Sequence, residues 1–187
     1  MRLLIRKNHF PMRKLIVLTC LTVLTSISCN SQSRQLEAGS KMPLFSLKDQ
    51  DGKTFNMKDS VGNNIFVIFF YPKDESAICT KEACGFRDSM KLFVQAGVQV
   101  IGINQGSVES HKKFQQHDSL NYELLSDPDE KVIKQFGVNG ALLTDRVTFV
   151  VDETGKIVFK YHSLTEGKKH VHEALNFIRE LKKREGN

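Results

Sequence analysis

Several chemistries are excluded by what this chain does not contain. It has no glycine-rich phosphate loop and no Cys-x-x-Cys pair. No set of His, Cys and carboxylate residues recurs at metal-ligand spacing. No metal or organic cofactor is therefore expected. His162, His170 and His172 read as surface positions, and His170 and His172, two residues apart, do not share a helix face. Internal repeats, low-complexity blocks and signs of a second domain are absent. A surplus of positive charge is also missing once its source is located. Of 27 basic residues, five (Arg2, Arg6, Lys7, Arg13 and Lys14) precede residue 29, which leaves 22 against 21 acidic residues. Nothing in that balance suggests nucleic-acid binding. The 187 residues suffice for one domain with a full core.

The apolar run Leu15–Leu24 spans about ten residues, too few for a comfortable membrane span. With Arg13 and Lys14 before it and small polar residues after it, it reads as a secretion signal. Translation from Met12 would give that signal an ordinary length. The ending Ser26-Ile27-Ser28-Cys29 resembles a bacterial lipoprotein signal, with Cys29 as the lipidated first mature residue. A plain secretory peptide or an uncleaved anchor are the alternatives. The expected organisation is a signal peptide over 1–29, a polar tether over 30–41 and one domain over 42–187. The expected location is a bacterial membrane, with the protein facing the periplasm or cell exterior and held by the lipid on Cys29.

Beyond the tether, alternation around Asp51-Gly52 predicts a β-hairpin. Ile65–Tyr71 is apolar throughout, as in a strand buried on both faces, and Pro72 ends it. Residues 80–96 carry Ala83, Phe86, Met90, Phe93 and Val94 at helical spacing, and Gly97 closes that helix. Strands are expected at 98–103, 123–125, 147–151 and 157–161. Helices are expected at 107–117, from Asp127-Pro128 to Phe136, and at 171–181. The alternation predicts an α/β fold with helices covering a mixed sheet, and the closing hairpin and helix suggest a thioredoxin-like arrangement.

The chemistry concentrates at Cys79 and Cys84. The run from Tyr71 to Asp88 links a buried strand to a helix through a turn, with Cys79 at the helix start. Unpaired amides and a partial positive charge there stabilise a thiolate, the reactive form of cysteine. Five residues of ideal helix set the two Cα atoms about 8–9 Å apart and roughly 140° around the axis. A disulfide needs about 4.4–6.8 Å, so the pair cannot bond while the helix is intact.

The segment Pro72-x-x-x-Ser76-x-x-Cys79 resembles the peroxiredoxin signature. The wider run, with Cys84 five residues after Cys79, is similar to the bacterioferritin comigratory protein (PrxQ) subfamily. Arg146-Val-Thr-Phe-Val-Val-Asp152 is similar to that family's later arginine-bearing strand. The resemblance covers about residues 36–182. It implies a thiol peroxidase that reduces hydrogen peroxide and small organic hydroperoxides. Cys79 would be the peroxidatic thiol and pass through a sulfenic acid. Ser76 would hold peroxide and thiolate, Arg146 would stabilise the sulfur and polarise the O–O bond, and Pro72 would shield the site. Cys84 would resolve the sulfenic acid as an intramolecular disulfide, reopened by a thioredoxin-like reductant. A monomer or weak homodimer is expected. Ala77 and Ile78 depart from the Pro and Gly usual in that loop.

Other readings stay open. Cys79 and Cys84 as inert thiols or a structural disulfide would suit a binding module on the same fold. A thioredoxin-like disulfide oxidoreductase is disfavoured by the four-residue gap between the cysteines and by Val147 before Thr148, where a proline is usual. Glu82 either orients an arginine or favours the helix N-terminus.

Overall fold

The computed structural model describes residues 35–185; residues 1–34, and with them the expected signal and Cys29, lie outside that range. Seven strands form one sheet in the order β2-β1-β5-β4-β3-β6-β7. The strands are β1 (Ser46–Asp49), β2 (Thr54–Asn56), β3 (Ile65–Phe70), β4 (Val98–Asn104), β5 (Glu123–Ser126), β6 (Val147–Val151) and β7 (Ile157–His162). The helices are α1 (Met57–Ser60), α2 (Ala77–Gln95), α3 (Val108–Asp118), α4 (Lys131–Phe136) and α5 (Gly167–Glu185). β3, β4 and β5 run parallel; β6 pairs antiparallel with β3, and β1 with β2 and β5. This is the mixed sheet of a thioredoxin-like fold, with the expected N-terminal hairpin at its edge.

The unbroken apolar run of β3 serves two cores. Ile65, Val67, Phe69 and Tyr71 face Phe86 and Phe93 of α2 and Leu175 and Ile178 of α5. Phe66, Ile68 and Phe70 face the other layer, with Met57, Ile133, Phe136 and Phe149. Side chains alternate across a strand, so a central strand covered on both faces carries no polar position.

Several boundaries differ from expectation, α2 among them, which begins at Ala77 rather than at residue 80. Residues 36–42 are not a free tether: Leu36 donates its amide to Phe136, Gly39 to Ile157 and Met42 to Gly155. Backbone bonds of this kind need no side-chain pattern, so the polar composition hid them. α4 starts at Lys131 rather than at Pro128, because the Asp127 carboxylate accepts from the amides of Lys131 and Ile133 and holds 127–130 as a turn. α5 begins at Gly167, four residues earlier than expected. His170 therefore lies on its buried face, in line with Ala174 and Ile178, and is not a surface residue.

Candidate active site

β3 ends at Phe70, and Tyr71–Glu75 turn the chain into α2. Glu75 takes a left-handed conformation (φ 56°), and Ser76 is the extended N-cap. Cys79 is the third residue of α2 and is 1% exposed. The register of β3 against β6 pairs Phe70 with Val147. The residue just before β6, Arg146, is thereby carried to the end of β3 and to the sulfur. Its Nη2 donates to Cys79 Sγ at 3.2 Å, its Nε donates to the Leu164 carbonyl at 3.1 Å, and its Nη1 donates to Glu82. Cys79 and Glu82 stand three apart on one helix face, so a single guanidinium reaches both.

All of this lies out of water: Arg146 is 2% exposed, and Glu82 and His170 are fully buried. Burial opposes the Arg146 charge, but Glu82 and Cys79 outweigh it and lift the guanidinium above its usual value. Burial pushes the Glu82 carboxyl up to about 8 against the pull of Arg146. His170 packs behind Glu82. Its Nε2 donates to the Ser163 carbonyl at 3.0 Å, and its Nδ1 lies 2.9 Å from the Thr148 hydroxyl. Burial brings its imidazole down to about 4.

A second buried cluster fixes the turn ahead of the helix. Asp74 Oδ1 accepts from the Tyr71 hydroxyl and the Asn104 amide, and Oδ2 accepts from the Ser110 hydroxyl and His111 Nδ1, at 2.5–2.9 Å. Burial raises the Asp74 carboxyl, but these donors, His111 first, prevail and bring it to about 2. His111 Nε2 faces the Leu125 carbonyl, so both ring nitrogens meet acceptors.

The other expected site residues are placed as follows. The Ser76 hydroxyl donates to the Lys73 carbonyl at 3.3 Å and makes no cap to the helix amides. Pro72 is half-buried and lines a cavity with Lys73, Asp74 and Asn104. Cys84 is a free, half-buried thiol 3.8 Å from Asp118 Oδ1. Burial raises its thiol despite the nearby Arg87. It opens on a groove between α2 and α5 with Lys81, Asp88 and Lys168. An apolar groove of about 780 Å³ around Leu92, Leu175 and Ile178 lies at the far end of these helices and holds none of the site residues. Sequence reasoning missed Asp74, His111 and His170. Only His170 left a signal, its four-residue spacing to Ala174 and Ile178.

The AhpC/TSA family model matches residues 38–160. Chloroplastic peroxiredoxin Q of Suaeda salsa is 43% identical over 150 residues, covering 79% of this chain and 70% of that protein. The peroxidoxin BcpB structure from Mycobacterium tuberculosis is 34% identical with a TM-score of 0.73, covering 78% of this chain and 97% of that one. The bacterioferritin comigratory protein of Xanthomonas campestris, 26% identical, has a TM-score of 0.70 and covers 76% of this chain and 98% of that one. The curated relatives overturn the expected location. The peroxiredoxin Q proteins of Suaeda salsa, Sedum lineare, Triticum aestivum and Arabidopsis thaliana are chloroplastic, which contradicts export as a membrane-anchored bacterial lipoprotein. Among the described residues, no helix is long and apolar enough to cross a membrane. The chain belongs to the AhpC/TSA family as a peroxiredoxin of the Q type, and it is a thiol-dependent peroxidase.

Proposed function

We propose that Cys79 is the peroxidatic thiol and that Arg146 is its activating cation. The observation that carries this is the 3.2 Å contact from Arg146 Nη2 to Cys79 Sγ in a site closed to water. The thiolate attacks one peroxide oxygen, the S–O bond forms and the O–O bond breaks. Cys79 is oxidised to a sulfenic acid, and the peroxide leaves as water or an alcohol after taking up a proton. Negative charge develops on the departing oxygen, and fixed guanidinium donors aimed there lower the barrier more than mobile water does. Ser76, at the N-cap, offers its hydroxyl to the incoming peroxide once it turns from the Lys73 carbonyl. Pro72 shields the entrance. Hydrogen peroxide and small organic hydroperoxides are the substrates; alkyl peroxide reduction is the stated activity of the Xanthomonas campestris relative.

Cys84 then attacks the sulfenic sulfur and releases water, and a thioredoxin-like dithiol reduces the resulting disulfide. Both cysteines lie within the continuous helix α2, so this step requires its first turns to unwind. The protein acts as a monomer or weak homodimer. The test is to add less than one equivalent of hydrogen peroxide to the reduced protein, quench within seconds and map the cysteines by peptide mass spectrometry. A Cys79–Cys84 disulfide is expected. Both thiols surviving alongside intact peroxide would reject the reading.

A further inference from the structure

The buried charges around Arg146 do not balance if both of its acidic partners ionise. One guanidinium would face a Cys79 thiolate and a Glu82 carboxylate with no solvent to screen either. Glu82 is also incompletely satisfied. Its Oε2 accepts from Arg146, but its buried Oε1 has no hydrogen-bond partner among the described residues. A bare anionic oxygen in such a place is costly, and a protonated one costs much less. His170 Nδ1 lies 3.6 Å from Oε1. Nε2 holds a proton on the Ser163 carbonyl, and Nδ1 meets the Thr148 hydroxyl, which donates to it when the ring is neutral and accepts from it when the ring is charged.

We propose that Glu82 and His170 hold one proton between them in the reduced enzyme, and that this proton leaves the charge of Arg146 to Cys79. His170 is then a positioning residue for the peroxidase reaction. It touches neither sulfur nor substrate and acts through Glu82. This role rests on the reading of Cys79 as the reacting thiol. With the proton on Oε1, Glu82 still accepts from Arg146 but no longer competes for its charge. With the proton on Nδ1, an imidazolium offsets the carboxylate and the balance is the same. The raised carboxyl of Glu82 and the lowered imidazole of His170 both favour one proton on the pair near neutral pH. The groups around the pair are consistent with this. Arg146 comes from just before β6, the neutral Thr148 from β6 itself, and β7 contributes the Tyr161 ring, 4.7 Å from His170. His162 and Glu166 act on His170 in opposite directions, and Tyr122, itself buried, is the further ionisable group beside Glu82. None of them supplies a second cation to Glu82.

Two measurements test this. Infrared difference spectra of the reduced wild-type protein against Glu82→Gln at pH 7, with nitrogen NMR of the His170 ring, locate the proton directly. A protonated carboxyl, or a doubly protonated His170, is expected; an ionised Glu82 beside a neutral His170 overturns the proposal. The second measurement is the rate of Cys79 oxidation by hydrogen peroxide. Gln at 170 keeps the contacts to Thr148 and Ser163 but cannot take up a proton. His170→Gln is expected to slow oxidation about tenfold, the effect of dividing a neighbouring charge. In the Glu82→Gln background the same change is expected to alter the rate by less than about twofold, because no carboxylate remains to compete. A loss that persists in the double variant would mark His170 as merely structural and overturn the proposal. If wild-type Cys79 does not react with peroxide, the peroxidatic assignment fails, while the infrared result still decides where the proton sits.

Discussion

At the scale of single residues, the site is an exercise in fixing donors before chemistry begins. Asp74 is an example outside the sulfur's own contacts. Its carboxylate gathers four donors from the residue after β3, the residue ending β4, and α3, and so pins the turn that presents Ser76 and Cys79. Asp74→Asn would aim an amide N–H at groups that already donate. The expected loss of stability is about 3 kcal/mol, the range for breaking a buried ion pair, measured by urea unfolding. An unchanged midpoint would show that the cluster is not holding the turn. The residues of this cluster were not legible in the sequence. Asp74, Asn104 and His111 read as ordinary loop and helix polar residues until the parallel pairing of β3 with β4 brings them together. Cys79 was legible from its place at a helix start after a buried strand, whereas Arg146 was legible only through the family resemblance. Their contact joins residues 67 positions apart in the chain and depends on the β3–β6 register, which leaves no local pattern.

At the scale of elements, the first turns of α2 are clamped by α5. A Cβ on Gly167 would lie 2.7 Å from the Ile78 carbonyl oxygen and 3.1 Å from Glu82 Cβ, so the start of α5 approaches α2 as only glycine permits. Gly167→Ala is expected to push the helices apart and cost about 1–3 kcal/mol in the same unfolding measurement. The clamp covers the segment that must unwind if Cys84 is to reach Cys79. Amide exchange across residues 79–86 is therefore expected to rise in the disulfide form; equal protection in both redox states would contradict resolution by this route. The elements themselves were largely legible. The two-faced apolar run of β3, the Asp51-Gly52 hairpin and the glycine ending α2 each carry a local signal. The start of α5 was not, because a buried histidine at its head looks polar. Reading that helix from Val171 placed His170 outside it.

At the scale of the whole molecule, the buried site makes stability depend on pH from both sides. His170 has its folded value lowered to about 4 from an unfolded 6.5. Its contribution is complete above 6.5 and is lost as pH falls through 4, at most about 3 kcal/mol. Glu82 has its value raised to about 8 from 4.5, so its contribution is present below 4.5 and lost as pH rises through 8. Urea midpoints between pH 4 and 9 are expected to show a maximum in between. His170→Gln should flatten the acid side and Glu82→Gln the alkaline side; unchanged profiles in both variants would show that these groups do not titrate in the fold. The central claim is that Arg146 activates Cys79. The most direct test is the single-turnover rate of Cys79 oxidation by hydrogen peroxide in Arg146→Gln against wild type at pH 7. A fall of about a hundredfold or more is expected, the scale for removing a fixed donor to developing negative charge. Equal rates in the two proteins would contradict it.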